Sequence, residues 1–365
     1  MLDVVPRGGG AWTSIHALKR ACSGVFASTL NWRFYITWNH ATAMQNNDKA
    51  SLLKRSISLL DLLQVIACCT ALLSLLTAVD DLHRLIALFA HFKLLYFVAA
   101  ILCVVIFLSL RHFKTAGGMF FIALLNSYYL APWYLAAPRP ELGFEGKQFK
   151  IIHANVNTAN RQYQKVIELI NAQEADVFVA QEVNGQWLKM LKPLEIRLPY
   201  KIVEPRSDNF GIALYSKYPL NNAQIIYLGR AKVPSISVQL AHAHKPLTIV
   251  ATHPLPPISA EYFAKRNDQL GRVATYLSTL KTPIILIGDL NITMWTGAYR
   301  RLVNDTGLIN ARQGFGLLPS WPALLPFALI PIDHCLLSKG IEVVDISTGP
   351  DVGSDHLPLI VELAL

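Results

Sequence analysis

Between residues 149 and 365, short apolar runs of strand length keep meeting polar side chains at their ends. Asn155 and Asn157 follow "FKIIHA", Glu182 follows "DVFVAQ", and His253 follows "LTIVAT". Asp289 and Asn291 follow "IILIG", Asp333 and His334 follow "LIPI", and Ser354-Asp355-His356 precede "LPLIVEL". Taken singly, each polar residue has an ordinary explanation as a solvated or internally satisfied group. Six segments that deliver carboxylates, amides and imidazoles to one sheet edge are hard to justify by folding alone. In "IILIGDLN" (284–291), residues two apart in an extended chain share a face. Asp289 and Asn291 are therefore expected to project together while Leu290 turns back toward packing. A pair that merely caps a turn is the plainer alternative.

The runs alternate with few helices. Strands are expected over 149–157, 176–182, 211–217, 235–241, 246–253 and 283–291, in "IDHCLLS", and in the closing "LPLIVELA". Amphipathic helices are expected over 162–173 and 260–280. Many strands and few helices predict a strand-rich core of two or more sheet layers with helices outside.

The first part of the chain has another character. Apolar runs at 57–78, 94–110 and 115–137 predict three transmembrane helices within 56–138, and 53% of the 365 residues are apolar. Residues 1–55 form an N-terminal segment in which Met44 is a second candidate start, and 139–148 is a Pro- and Gly-rich linker. Lys49, Lys54, Arg55, Arg111, His112 and Lys114 flank these spans on one side. The positive-inside rule then puts the N-terminus in the cytoplasm and residues 149–365 outside it. Residues 1–139 carry 12 Lys+Arg against 5 Asp+Glu, and residues 140–365 carry 21 against 19. The net charge of +9 thus belongs mainly to the front end, and broad nucleic acid binding by the rest is not favoured. Of the cysteines, at 22, 68, 69, 103 and 335, only the last lies in the polar half, so that half can form no internal disulfide.

"HANVN", "VAQE", "THP", "GDLN", "PIDH" and "GSDHLP", in this order, resemble the endonuclease/exonuclease/phosphatase superfamily. Its members include pancreatic-deoxyribonuclease-like nucleases, inositol polyphosphate phosphatases and neutral sphingomyelinases. The three-span front end is similar to a membrane-anchored bacterial branch, which implies a multi-pass protein of the bacterial inner (cytoplasmic) membrane. The resemblance implies an α/β four-layer sandwich of two central, mostly antiparallel sheets flanked by helices. It also implies a divalent cation, Mg2+ or Mn2+, and hydrolysis of a phosphate ester.

Carried over residue by residue, the resemblance makes Glu182 the leading metal ligand, with Asn155 and Asp355 sharing or supporting the metal shell. His356 matches the general base, and an aspartate, Asp333 or Asp355, orients it. Asp289 would align the attacking water, Asn291 would hold a nonbridging phosphate oxygen, and His253 matches an acid or phosphate contact. Asn157 stands where several relatives have Asp, which leaves a direct metal role there open. Asn209 is either a substrate contact or a turn residue before Gly211.

The expected function is a membrane-anchored, metal-dependent phosphoester hydrolase, a phosphodiesterase or phosphatase, whose ester the sequence does not fix, a lipid and a nucleotide being the candidates; no protein partner is indicated. An extracytoplasmic nuclease and an inactive binding module of the same fold are the alternatives. "FGLLPSWPALLPFALIP" (315–331) would either line a lipid-facing entrance or pack as core. Arg266 would either reach a substrate phosphate or lie on a solvated helix face.

Overall fold

A computed structural model describes residues 58–135, 148–241 and 246–365. Met44, the N-terminal segment and all of the expected linker except Gln148 lie outside them. Two compact units are present among the described residues. One holds the chain up to Leu72 together with Leu95–Leu125; the other holds Leu73–Leu94 and Asn126–Leu365.

The helices of the front end are α1 (Leu59–Leu76), α2 (Arg84–Ala90), α3 (Lys93–Ser109) and α4 (Phe113–Leu130). The expectation of three transmembrane helices is not met. Among the described residues one helix, Leu59–Val79, is long and apolar enough to cross a membrane. Arg84–Ala90 and Lys93–Ser109 qualify only together, bent by 64°. The third run fails because Lys114, Gly117, Gly118, Asn126 and Ser127 dilute it.

The larger unit contains two six-stranded sheets. The first runs β11-β12-β1-β2-β4-β3 and the second β5-β6-β7-β8-β10-β9. In the first sheet β1 is Gln148–Asn155, β2 Val177–Gln181, β3 Tyr200–Glu204, β4 Ile212–Ser216, β11 Glu342–Thr348 and β12 Leu359–Ala364. In the second, β5 is Leu220–Tyr227, β6 Pro234–Leu240, β7 Leu247–Thr252, β8 Ile284–Asp289, β9 Ile309–Asn310 and β10 Asp333–Leu337. Each sheet has one parallel pairing, β1 with β2 and β7 with β8, and the remaining pairings are antiparallel.

Alternation of side chains fixes the layers. Phe149, Ile151, Val177 and Val179 of the first sheet meet Ile249, Ile285, Ile287 and Cys335 of the second in one buried cluster. The opposite parity, Ile152, Phe178 and Ala213, lies under α5 (Tyr163–Ala172) and α6 (Gly185–Met190), against Val166, Ile170 and Trp187. Helices α7 (Ala260–Leu277) and α8 (Gly297–Thr306) follow β7 and β8, with Leu270, Val273 and Leu302 buried. The result is two mixed sheets flanked by helices, as the α/β sandwich requires.

Helix α6 shows how local chemistry supports this packing. The Asn184 side chain accepts from Trp187 N at 2.9 Å as N-cap, and the buried Trp187 indole donates to Asn157 O at 3.1 Å. Asn184→Ala is expected to cost about 1 kcal/mol, read as a lower urea midpoint with an unchanged slope.

The segment between α1 and α3 belongs to the sheet-bearing unit. Asp80 Oδ2 accepts from Gly297 N at 2.7 Å, capping α8, and Asp81 pairs with Arg301. His91 Nδ1 lies 3.1 Å from Thr293 Oγ1, and Arg84 Nη1 donates to Ile258 O at 3.0 Å.

Candidate active site

Topology explains why the polar residues gather. The parallel pairs β1/β2 and β7/β8 deliver their C-terminal ends, Asn155, Gln181-Glu182, His253 and Asp289. The antiparallel partners β10 and β12 start beside them, so Asp333 and the Ser354-Asp355-His356 turn arrive from the opposite direction. Most of these residues sit in the core-facing row. Phe149 and Ile151 lead to His153 and Asn155; Val177 and Val179 lead to Gln181; Ile285 and Ile287 lead to Asp289; Leu337 and Cys335 lead back to Asp333. The site is the polar end of the core between the sheets.

His356 is the centre of the arrangement. Its Nδ1 lies 2.9 Å from Asp333 Oδ2, and its Nε2 faces Asp289 Oδ2 at 3.7 Å and Asn155 Nδ2 at 3.4 Å. This resolves which aspartate orients the imidazole: it is Asp333, which is wholly buried. Asp355 instead accepts from Asn157 Nδ2 at 2.7 Å and from Trp321 Nε1 at 3.1 Å. Burial disfavours a proton on His356, but Asp333 and Asp289 outweigh it and hold the imidazole up to about 10. Burial likewise opposes the charge on Asp333, yet His356 and His153 keep its carboxyl well below the ordinary range. His253 Nε2 lies 3.4 Å from Asp289 Oδ2, and Asp289 and Glu182 raise this imidazole against its burial. Phe210 covers it, with ring centroids 5.2 Å apart.

Asn155 Nδ2 has two hydrogens but three acceptor-capable neighbours: Glu182 Oε1 at 2.9 Å, Asp289 Oδ2 at 3.4 Å and His356 Nε2. So acceptor-rich a spot suits a hard cation with oxygen ligands. Asp289, Asp333 and His356 also offer one ligand atom each within 4.8 Å of one another. Both Asp333 oxygens, however, are engaged by imidazoles. Glu182 and Asp289 therefore fit the cation better, while Asn155 turns its Nδ2 toward them and its Oδ1 accepts from Asn157 N at 3.2 Å.

Asn291 departs from strand geometry. β8 ends at Asp289, and Asn291 takes φ 52, so strand alternation does not extend to Asn291. Its backbone N donates to Asp289 Oδ1 at 2.8 Å and its side chain to Pro254 O at 2.9 Å. Arg266 does not lie on a solvated helix face: it is buried and donates to Asn291 O at 3.0 Å. Asn209, exposed with φ 67, has the turn conformation. The 315–331 loop divides. Phe315 and Leu318 pack against the inter-sheet core, whereas Leu324 and Phe327 are 80% and 75% exposed.

Two residues went unrecognised in the sequence. Gln181 joins the sheets, its Nε2 donating to Thr252 O and its Oε1 accepting from Asp289 N, both at 2.9 Å. His153 Nε2 lies 2.8 Å from Asp333 Oδ1. Their signal was parity: a polar side chain in the inward row of a central strand needs a partner across the core.

The profile of the Endonuclease/Exonuclease/phosphatase family matches residues 152–356. The chain belongs to this family. The matched span begins in β1 and ends on His356, so it contains every residue placed at the site. Among solved structures, humanized TDP2 of D. rerio is 14% identical, with a TM-score of 0.51 over 60% of this chain and 99% of that one. The human Nocturnin catalytic domain with bound sulfate anion is 19% identical, with a TM-score of 0.50 over 60% of this chain and 96% of that one. These likenesses establish the fold. No curated protein sequence matches the chain.

Proposed function

We propose that the chain is a divalent-metal-dependent phosphoester hydrolase in which His356 is the general base. The observation that carries this reading is the orientation of His356. Asp333 occupies Nδ1, so Nε2 is the nitrogen turned toward Asp289, Asn155 and the acceptor-rich spot. Family members are generally phosphoester hydrolases, and the donor set at Asn155, Glu182 and Asp289 supports a cation.

Glu182 and Asp289 would hold the cation, with Asn155 and Asp355 supporting them. When bound, Mg2+ or Mn2+ supplies charge neutralisation to the phosphoryl oxygens. His356 Nε2 takes the proton of the attacking water, and Asp333 steadies the imidazolium that results. Asp289 Oδ2 lies between the two histidines and aligns that water. His253, on the far side of Asp289, donates to the phosphate or the leaving oxygen. Asn291, held by Pro254 O and Arg266, is poised for a phosphoryl oxygen.

Membrane anchoring is part of the proposal. Leu59–Val79 has spanning length, and its Leu62, Val65, Ile66 and Leu72 are exposed. A lipid ester is the favoured substrate, on the exposed Leu324 and Phe327 and on a loop without charge from Gly314 to Ile332.

The test uses the full chain in detergent, because Leu73–Leu94 belongs to the catalytic unit. Bis-p-nitrophenyl phosphate, p-nitrophenyl phosphate, plasmid DNA and a phospholipid panel are offered with Mg2+ or with EDTA. Turnover is expected with metal only, and Glu182→Gln is expected to raise the metal concentration needed by at least about tenfold. Silence on every ester from a folded protein would favour a binding module instead.

A further inference from the structure

Asp333 is shared by two histidines, and the hydrolytic reading uses only one of them. His356 reaches Oδ2 from the turn before β12, while His153 reaches Oδ1 from β1, across the gap between the sheets. We propose that His153 is a positioning residue for the hydrolysis: its Nε2–H donates to Asp333 Oδ1 and fixes the plane of that carboxylate, so that Oδ2 stays on His356 Nδ1. The proposal rests on the reading of His356 as general base.

Three observations support it. First, the Asp333 side chain is 1% exposed, so bulk water cannot hold Oδ1 if His153 is removed. A carboxylate gripped at one oxygen turns about its Cβ–Cγ bond; gripped at both, it does not. Second, His153 occupies an inward position that follows Phe149 and Ile151, where an aliphatic side chain would suit the surrounding cluster. Its own Nδ1 is buried without a hydrogen-bond partner among the described residues. An imidazole there leaves one ring nitrogen unsatisfied and engages Asp333 with the other, so its placement serves the carboxylate rather than the packing. Third, the tie links the sheets where Gln181 also links them, beside Thr252 and Asp289. The orienting acid on β10 is therefore tied across the core to β1, next to the Gln181 bridge from β2 to β7 and β8.

Direction of donation follows from charge. Burial works against ionisation of Asp333, but the two imidazoles favour it and keep the carboxyl deprotonated. Both of its oxygens must then accept, which makes His153 Nε2 and His356 Nδ1 the donors. His153 touches neither substrate nor reacting atoms in this scheme; it acts through Asp333.

The test compares His153→Gln, which offers an amide N–H at similar reach, with His153→Leu, which fills the volume without a donor. Asp333→Asn and the double variant His153→Leu/Asp333→Asn complete the set. Full-length proteins, checked for folding by circular dichroism and thermal melting, are assayed on bis-p-nitrophenyl phosphate with Mg2+. His153→Leu is expected to lower kcat by about 10- to 100-fold with KM within about twofold, and His153→Gln to recover most of that loss. The double variant is expected to be no slower than Asp333→Asn alone. Equal losses in Leu and Gln, a loss carried by KM, or additive losses in the double variant would overturn the positioning role.

A second readout does not need turnover. The proton on His356 Nδ1, observed by NMR as a downfield signal, is expected to persist in His153→Gln and to weaken or vanish in folded His153→Leu. An unchanged signal in His153→Leu overturns the proposal. A wild-type protein inert on every ester, but with the signal behaving as expected, would remove the hydrolase reading and leave the His153–Asp333–His356 geometry standing.

Discussion

His356→Gln is expected to lower kcat by about 10²- to 10⁴-fold while leaving the fold intact. Glutamine can still donate an amide N–H toward Asp333, but it cannot accept a proton at neutral pH, so only the base is removed. The same variant should change how stability depends on pH. In the metal-free protein Asp333 and Asp289 hold His356 up to about 10, above the ordinary value of 6.5. The folded state therefore binds this proton more tightly than the unfolded chain. That contribution is fully present below pH 6.5 and is lost as pH rises toward 10. Urea midpoints of the metal-free wild type should fall across this window, and the fall should be shallower in His356→Gln. A base must be neutral to act, and a cation beside Asp289 opposes the imidazolium charge. Adding Mg2+ near pH 8 should then release a proton, detected calorimetrically as a binding heat that varies with buffer ionisation enthalpy. A variant that keeps full turnover would remove His356 from the mechanism.

The sequence discloses the inner strands of the two sheets better than the outer ones, and the differences have physical reasons. Strands β3, β5, β9 and β11 were not expected from the sequence, and they are the four outer strands of the two sheets. An outer strand buries less of its surface: Asn221, Asn222, Ala223 and Gln224 of β5 are exposed, as are Val344 and Asp345 of β11. Such strands lack the apolar runs that mark β2, β4, β7 and β8, whose residues are all buried. The front end misled in the opposite sense. Mean apolarity over a run does not fix the length or direction of its helix: the expected span 94–110 becomes α3, only 17 residues long, and the expected connection before it carries a second helix, α2, bent 64° from α3. At the site, spacing could not choose between Asp333 and Asp355 because orientation depends on register across the core. An isolated helix gives no sign of a buried carbonyl, Asn291 O, waiting for a donor, so the sequence shows Arg266 only as a surface or ligand-facing residue.

The glycine of "IILIGDLN" carries the second large expectation. Gly288→Ala should destabilise the protein by about 3–5 kcal/mol, a large share of the roughly 5–15 kcal/mol that holds a typical protein folded. Two costs combine. Gly288 has φ +149, a conformation L side chains rarely adopt. A Cβ at this position would also overlap the Thr252 carbonyl oxygen and Gln181 Nε2, which are bonded to each other. The Thr252 oxygen is backbone of the neighbouring strand β7 and cannot move alone; Gln181 is held at its other end by Asp289 N. Relief must therefore come from separating β7 from β8 or from breaking the Gln181 bridge, and either displaces Asp289. Gly340→Ala provides the comparison. It lies at φ +94 with nothing within 4 Å of a Cβ, so it should show backbone strain alone, about 1 kcal/mol. Chemical denaturation of the two variants separates strain from overlap. If Gly288→Ala were no worse than Gly340→Ala, the close approach of Gln181 and Thr252 would not constrain this strand. If it is much worse, the residue before Asp289 is glycine because the bridge that positions the carboxylate passes through the space a side chain would fill.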